Sequence, residues 1–143
     1  MCLYLGKRQS DLVSYKEIKS RAKNGKVTCW KVYRKSQRRS FVKGSLSSLV
    51  YVKVIKGPGI VWSNRFEKKL SYFEKSSCSV DYGIHVYTNI EVAKSIKEED
   101  SDVVVPVECD LNDLVAYGIQ NEAVFMKVKI TRKEWNRAFK DGK

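Results

Sequence analysis

The chain has 143 residues, of which 43% are hydrophobic and 31% charged, and its formal net charge is +12. This length suits one independently folding domain, 1–143, and the hydrophobic content excludes a disordered basic tail. No apolar run approaches the roughly 20 residues of a membrane-spanning helix, and the first residues lack the apolar stretch of a signal peptide. We therefore expect a cytoplasmic protein that does not enter a membrane.

Residues 1–75 carry all of the net positive charge. They contain 19 Lys and Arg against four acids, for a net charge of +15, whereas residues 76–143 contain nine against twelve, for −3. Such an uneven field attracts polyanions to one part of the molecule and raises their association rate. The expected partner is nucleic acid or an anionic nucleotide ligand, although an acidic protein would satisfy the same field.

A capped helix is predicted near the start of the chain. Ser10 and Asp11 are N-cap residue types, apolar residues then recur on one face, and Asn24–Gly25 supplies a stop. These signals predict a helix over about 11–23.

Two strands are predicted after this helix, over 27–34 and about 49–55, from the alternation of apolar and polar residues. Trp30 and Val32 would face inward from the first strand, and valines from the second. The outward side chains would be those of Lys31, Tyr33, Lys35, Tyr51 and Lys53.

The remaining elements follow from glycine and proline at turns, alternation in strands and cap residues at helices. In chain order they are a turn at 56–59, a strand at 60–62, an irregular stretch at 63–82, a strand at 84–87, a helix capped by Asn89, a strand at 103–109, a short helix from Asp110 to Tyr117, a strand at 123–130 and a final helix that begins with the capping pair Thr131 and Glu134. Pro106 indicates an edge position or a bulge in its strand. The sum predicts an α+β fold, one domain with a mainly antiparallel sheet and about four helices packed on it.

Four cysteines, at positions 2, 29, 78 and 109, form no close pair. Zinc sites usually place two ligands within a few residues of each other, so we expect no metal site, and nothing in the sequence calls for a cofactor. Cys29 and Cys109 lie in predicted strands and are expected to be reduced, buried thiols.

A predicted basic face is the main candidate for binding. If the two early strands are neighbours, their tyrosines can stack on bases while ammonium groups hold phosphates. Its members are Lys31, Tyr33, Arg34, Lys35, Arg38, Arg39, Lys43, Tyr51, Lys53, Arg65, Lys68 and Lys69. The alternative is a solvated face that only keeps the protein soluble, with the tyrosines packed under the first helix.

His85 and Tyr87 are secondary candidates. His85 is the only histidine, so any histidine-based proton transfer must use it. No Cys or Ser nucleophile stands near it in the sequence, which favours a structural role.

The segment Gly83-Ile84-His85-Val86-Tyr87, followed by Ala93 and the valine-rich stretch 103–109, resembles a group of phage and large-virus proteins. In that group a Cys/Trp-[Tyr/Lys]-Lys-Val unit comes first, and Cys29-Trp30-Lys31-Val32 stands in its position here. The resemblance covers roughly 28–130 and brings no assigned activity. It implies a viral or prophage origin, the host cytoplasm as the compartment, and a role such as counter-defence.

The same segment is more loosely similar to the Gly-x-Tyr-Phe…Ala pattern of ADP-ribosyltransferases, in which an aromatic strand and the helix behind it hold the nicotinamide end of NAD. The similarity implies Tyr87 as the stacking aromatic, Arg34 or Tyr33 as the first-strand residue, and Glu122 or Glu108 as the catalytic acid. The first strand lacks the central His-x-Thr or Arg of that family.

We therefore expect a non-enzymatic, viral-type binding protein whose basic face captures nucleic acid or a nucleotide immune signal. Two alternatives stay open. One is a divergent ADP-ribosyltransferase-like enzyme that uses NAD, and the other is a protein inhibitor that docks on an acidic surface of a host effector.

Overall fold

A computed structural model gives the fold and describes residues 3–4, 12–35, 46–48, 54–63, 79–80 and 83–139. The helices in these ranges are α1 (Val13–Arg21), α2 (Ile90–Ile96) and α3 (Arg132–Phe139). The strands are β1 (Leu3–Tyr4), β2 (Lys26–Lys35), β3 (Leu46–Ser48), β4 (Val54–Ile55), β5 (Gly59–Trp62), β6 (Ser79–Val80), β7 (Ile84–Tyr87), β8 (Asp102–Asp110), β9 (Leu114–Tyr117), β10 (Glu122–Phe125) and β11 (Lys127–Ile130). A 3-10 turn, Leu111–Asp113, joins β8 to β9.

Most strands belong to one antiparallel sheet in the order β5-β11-β8-β2-β7-β10-β9, with β3 beside β2 and β4 beside β3. β8 continues through the 3-10 turn into β9, and β10 continues through Met126 into β11, so these strands form the two arms of one long hairpin. β2 pairs with the first arm, β7 pairs with the second, and β2 and β7 meet where Trp30 lies opposite Tyr87. The pairings therefore close a ring of four strand segments. A separate pair joins β1 to β6.

The core lies inside this ring and follows from strand alternation. In β8, Val105, Val107 and Cys109 are buried while the residues between them are partly exposed. Tyr33 and Phe125 are among the largest fully buried side chains, and burying a phenylalanine side chain contributes about 1.5–3 kcal/mol. Ile18 of α1 and Ala138 of α3 also belong to the core, so both helices pack on it.

The helix predicted over 11–23 is confirmed as α1, with one difference at its start. Its N-cap position is Leu12, whose side chain makes no capping hydrogen bond. The predicted stop is confirmed, because Asn24 and Gly25 both have positive φ and form the turn into β2. α1 therefore depends on contacts with the rest of the fold more than on its own cap.

The α+β class and the antiparallel sheet are confirmed, but the short helix predicted from Asp110 to Tyr117 is wrong. Asp110 does cap Leu111–Asp113 by accepting a hydrogen bond from the Asn112 amide, yet the chain then enters β9 and pairs with β10. The described residues accordingly hold three α-helices rather than about four. Pairing with a neighbouring strand decided the structure of 114–117, which local cap signals cannot report.

The other predicted elements agree with the structure where it describes them. The strands at 27–34, 60–62, 84–87, 103–109 and 123–130 and the helices after Asn89 and Thr131 are all present. Pro106 lies in an interior strand and is opposite Trp30 of β2. On its other side β8 pairs with β11 at Glu108, and no described strand pairs with that side at the proline. The prediction of a strand at 49–55 falls mostly outside the described residues, as does the irregular stretch at 63–82.

None of the helices within the described ranges has the length and apolar character that crossing a membrane requires.

Candidate functional site

The predicted basic face is only partly described. Lys31, Tyr33, Arg34 and Lys35 lie on β2, and their surroundings are clear. The other members lie outside the described residues: Arg38, Arg39, Lys43, Tyr51, Lys53, Arg65, Lys68 and Lys69.

The prediction that Lys31 and Tyr33 point to solvent is wrong. Tyr33 is 0% exposed, and its hydroxyl has no hydrogen-bond partner among the described residues. The ammonium group of Lys31 lies 5.5 Å from the centre of the Tyr33 ring and donates a hydrogen bond to the carbonyl oxygen of His85. Burial lowers the pKa of Lys31 to about 8 and raises that of Tyr33. With its ring inside the core, Tyr33 cannot stack on a base in this structure.

Arg34 is neutralised by the protein's own acids. Its guanidinium Nε donates to Oδ1 of Asp102 at 2.8 Å and lies 3.5 Å from Glu99. Burial alone would raise the pKa of Asp102, but hydrogen bonds from Arg34 and from the backbone amides of Glu98 and Glu99 lower it. This cluster fixes the start of β8 against the end of β2, which explains Arg34 structurally.

Lys35 lies beside this cluster, at the end of β2. Its backbone amide donates to the carbonyl oxygen of Ser101, and its side chain is partly buried.

Tyr87 lies in a row of half-buried side chains across three strands. Trp30 of β2 is directly opposite Tyr87 of β7, and Tyr87 is directly opposite Glu122 of β10. Burial raises the pKa of both Tyr87 and Glu122, and the Glu122 carboxylate adds to the effect on Tyr87. His85, two residues earlier on β7, is half-buried.

A polar network holds α1 against the loops at one end of the ring. The carboxylate of Glu17 accepts hydrogen bonds from Thr88 Oγ1 at 2.7 Å, Asn89 Nδ2 at 3.0 Å and Asn121 Nδ2 at 2.6 Å. Arg21, one turn later, donates to the carbonyl oxygen of Thr88 at 2.6 Å. The same guanidinium also donates to the carbonyl oxygen of Thr28 and lies 4.8 Å from the Trp30 ring centre. Nothing in the sequence links Glu17 to residues some 70 to 100 positions away, so sequence reasoning missed this network.

The thiols of Cys29 and Cys109 are free and buried, as predicted. The described residues contain no group of three or more His, Cys, Asp or Glu side chains arranged to hold a metal ion.

Four lysines, which we call the lysine row, run along α1 and the turn into β2: Lys16, Lys19, Lys23 and Lys26. All four are exposed, and none forms an ion pair with a carboxylate of the described residues. Positions three or four apart on a helix are neighbours, with Cβ atoms about 5–6 Å apart, so Lys16 and Lys19 share a face of α1. Lys23 follows the end of α1, and Lys26 begins β2.

Lys23 and Lys26 then pair across the Asn24–Gly25 turn by two backbone hydrogen bonds of 2.8 and 3.0 Å. The predicted basic face omitted this row, although the recurrence of lysine every three or four positions is visible in the sequence.

Comparisons with protein-family models, with curated proteins and with solved structures find no match for this chain. The resemblances to phage proteins and to ADP-ribosyltransferases therefore stay predictions.

Proposed function

We propose that this protein binds nucleic acid, and that the lysine row contacts the phosphate backbone. The observation that carries the proposal is the line of four exposed ammonium groups without ion-pair partners among the described residues. They belong to the stretch 12–35, which contains eight Lys and Arg but only one acid, Glu17. That acid is already engaged by three side-chain donors.

Position as well as charge supports phosphate binding. Two of the lysines lie on α1 and the other two flank a tight turn, so all four are held by secondary structure rather than on an extended tail. Each lysine that neutralises a phosphate releases condensed counterions, which favours binding at low salt. Arg34 supports this assignment less well, because Asp102 and Glu99 already balance its charge.

Binding of this kind needs no reaction. A small binding protein that holds nucleic acid or a nucleotide signal would act by keeping that ligand from other proteins. This fits the counter-defence role implied by the resemblance to phage proteins. The cationic members of the predicted basic face that lie outside the described residues would add to the same field.

The test is a charge-reversal triple variant, Lys16→Glu/Lys19→Glu/Lys23→Glu, with Lys97→Glu/Arg132→Glu/Lys133→Glu as a control that changes net charge equally. The control residues are exposed and lie in the second half of the chain. Affinity for DNA and RNA oligonucleotides is measured over a range of salt concentrations. We expect the first variant to weaken binding and to reduce the slope of log K against log salt by about 2–3, and the control to do neither.

Equal losses in both variants would mean that total charge matters and the lysine row does not. Salt-dependent binding to an acidic protein but not to oligonucleotides would favour the inhibitor alternative.

A second candidate, an NAD-using transferase, is favoured by one observation. Tyr87 and Glu122, two residues implied by the ADP-ribosyltransferase similarity, are directly opposite on β7 and β10. Glu122 is half-buried, and burial raises its pKa. Glu108 lies between Lys129 and Thr28 on the sheet. Transfer of labelled ADP-ribose from NAD that is lost in Glu122→Gln and kept in Glu108→Gln would support this function. Absence of transfer by the unaltered protein would reject it.

A further inference from the structure

Lys31 is a cation among uncharged core residues. On β2 it lies between Cys29 and Tyr33, both fully buried, and because alternate residues of a strand share a face, all three point towards the core. Directly opposite on β8 is Val105, which is also buried. Lys31 forms no ion pair with a carboxylate of the residues that the structure describes. Its ammonium group is therefore held there without a balancing charge.

The Lys31 amine has one hydrogen-bond acceptor and one aromatic neighbour. It donates to the carbonyl oxygen of His85 at 3.0 Å and lies 5.5 Å from the centre of the Tyr33 ring. An ammonium group has three donors, so the others have no acceptor among the described residues. Desolvation without compensation favours the neutral amine, and burial lowers the pKa of Lys31 to about 8. At neutral pH about a tenth of the molecules then carry an uncharged, nucleophilic amine here.

The ring beside this amine carries a hydroxyl group without a partner. Tyr33 is fully buried, and its hydroxyl forms no hydrogen bond with any described residue. Burial raises the pKa of Tyr33, so the phenol keeps its proton and remains a donor. A buried donor without an acceptor destabilises a fold, and an acceptor that arrives with a ligand removes that cost.

The strand pairing of β2 is interrupted at Lys31. On one edge, β2 pairs with β7 at Trp30 and with β3 from Tyr33 onward, so Lys31 lies between the two described pairings. Lys31 also keeps part of its surface exposed. A small molecule can therefore approach the amine at this edge, although Tyr33 itself is covered.

We infer that the Lys31 amine condenses with an aldehyde to form a Schiff base, with Tyr33 as the proton donor. The neutral amine attacks the carbonyl carbon, and one of its protons passes to the carbonyl oxygen, which gives a carbinolamine. The nitrogen lone pair then expels the hydroxyl group, which leaves as water with the proton of the Tyr33 phenol. The iminium proton returns to the phenolate, so the products are an imine and one water molecule. A desolvated lysine is a usual nucleophile in such reactions.

Two features favour an aldehyde over other partners of an amine. Loss of water from the carbinolamine needs a proton donor at the departing hydroxyl group, which Tyr33 supplies. The core side chains around the amine, Cys29 and Val105, are uncharged and offer nothing to a carboxylate or phosphate. The aldehyde has two sources, a free small molecule or an abasic sugar in nucleic acid held by the lysine row. Only the second source rests on the proposed function.

The experiment treats the full chain at pH 7 with propionaldehyde and cyanoborohydride, which reduces an imine to a stable secondary amine. Peptide mass spectrometry then gives the rate of alkylation at each lysine, with the exposed Lys97 as the internal comparison. An ordinary lysine has a pKa of about 10.4, so far fewer of its molecules are neutral at this pH. Since partial burial offsets some of that advantage, we expect Lys31 to be alkylated about 10- to 100-fold faster than Lys97.

Tyr33→Phe tests the proton donor, because it keeps the ring and removes the hydroxyl group. Alkylation of Lys31 should slow by about 100-fold in this variant. Acetylation of Lys31 by N-hydroxysuccinimidyl acetate, which requires no loss of water, should keep its rate. Thermal unfolding of the variant checks the fold.

An oligonucleotide with one abasic site, trapped with borohydride, tests the second source. A cross-link at Lys31 that is lost in Lys16→Glu/Lys19→Glu/Lys23→Glu, while alkylation by propionaldehyde persists, would assign the aldehyde to bound nucleic acid. Alkylation by propionaldehyde without any cross-link would assign it to a free small molecule.

Three results would overturn the inference: alkylation of Lys31 no faster than that of Lys97, rapid acetylation of Lys31 without rapid alkylation, or equal slowing of both reactions in Tyr33→Phe. Intact oligonucleotides carry no aldehyde, so their affinity for the lysine row is measured separately. The proposed function would therefore stand if the Lys31 amine proved unreactive.

Discussion

The ammonium group of Lys31 donates a hydrogen bond to the backbone carbonyl oxygen of His85 at 3.0 Å. β2 and β7 pair where Trp30 lies opposite Tyr87. From Tyr33 onward, the same edge of β2 pairs with β3 instead. Lys31 lies between these two pairings, and its side chain supplies the donor for a carbonyl group of β7. A lysine thus joins two strands where backbone pairing between them has ended.

This placement predicts a pH-dependent stability. Because burial lowers the folded-state pKa of Lys31 to about 8, the unfolded chain binds more protons than the folded protein between pH 8 and the ordinary lysine pKa of about 10.4. The contribution of Lys31 to the free energy of unfolding should therefore improve as pH rises through this range. Urea unfolding from pH 7 to 10 should show the unaltered protein gaining stability relative to Lys31→Met. Lys97→Met, at an exposed site, is the control, and parallel curves for Lys31→Met would contradict the prediction.

Asp102 should stabilise the fold at neutral pH, and its contribution to the free energy of unfolding should disappear in acid. It is 2% exposed and accepts hydrogen bonds from Arg34, Glu98 and Glu99, so Asp102→Asn should lower the free energy of unfolding by about 2–3 kcal/mol. Since its folded-state pKa is lowered, the stabilisation is complete above the ordinary aspartate pKa of about 3.9 and disappears as pH falls through the folded value.

The matched control for Asp102 is Glu99→Gln. The Glu99 side chain also lies beside Arg34 but is 58% exposed, so this change should lower the free energy of unfolding by only about 0–1 kcal/mol. A similar loss in both variants would refute this account.

Glu17 should hold α1 in place. Glu17→Gln replaces an acceptor of three side-chain hydrogen bonds and should cost about 2–3 kcal/mol of unfolding free energy. Because α1 has no capping side chain at Leu12, its amides should exchange with solvent faster in this variant than those of β8. Hydrogen exchange followed by mass spectrometry measures both segments. Glu91→Gln, at an exposed position on α2, should change neither, and uniform acceleration in Glu17→Gln would argue against a local role.

Gly83 should not tolerate a side chain. Its φ is +85°, and an added Cβ would lie 2.4 Å from Cγ1 of Val124. Gly83→Ala should therefore destabilise the protein by more than the roughly 1–2 kcal/mol of the left-handed conformation alone. Gly57→Ala provides the comparison, because a Cβ there meets nothing within 4 Å. Thermal melts of the two variants and of Gly83→Ala/Val124→Ala separate the destabilisation caused by the clash with Val124 from that caused by the left-handed backbone. If the double variant recovers no stability, the contact with Val124 is not the cause.

The elements of this fold could be read from the sequence where one periodicity dominates, as in 103–109. The orientation of β2 could not, because both of its faces carry apolar residues. Trp30 and Val32 alternate with Cys29 and Tyr33, so alternation alone cannot choose the core side. The charge imbalance pointed to a cationic region, but the partners of Lys31, Arg34 and Glu17 come from strands and loops far along the chain. Such contacts depend on topology rather than on local pattern.

The closed strand ring also has a consequence for folding. Its seam between β2 and β8 joins residues far apart in the chain, such as Arg34 and Asp102, which are 68 positions apart. The long hairpin of β8 to β11 contains only local pairings and can form quickly, whereas β2 must wait for a large loop to close. During synthesis β2 leaves the ribosome well before its partner strand does, so the seam is the expected rate-limiting step and the segment most in need of protection until then.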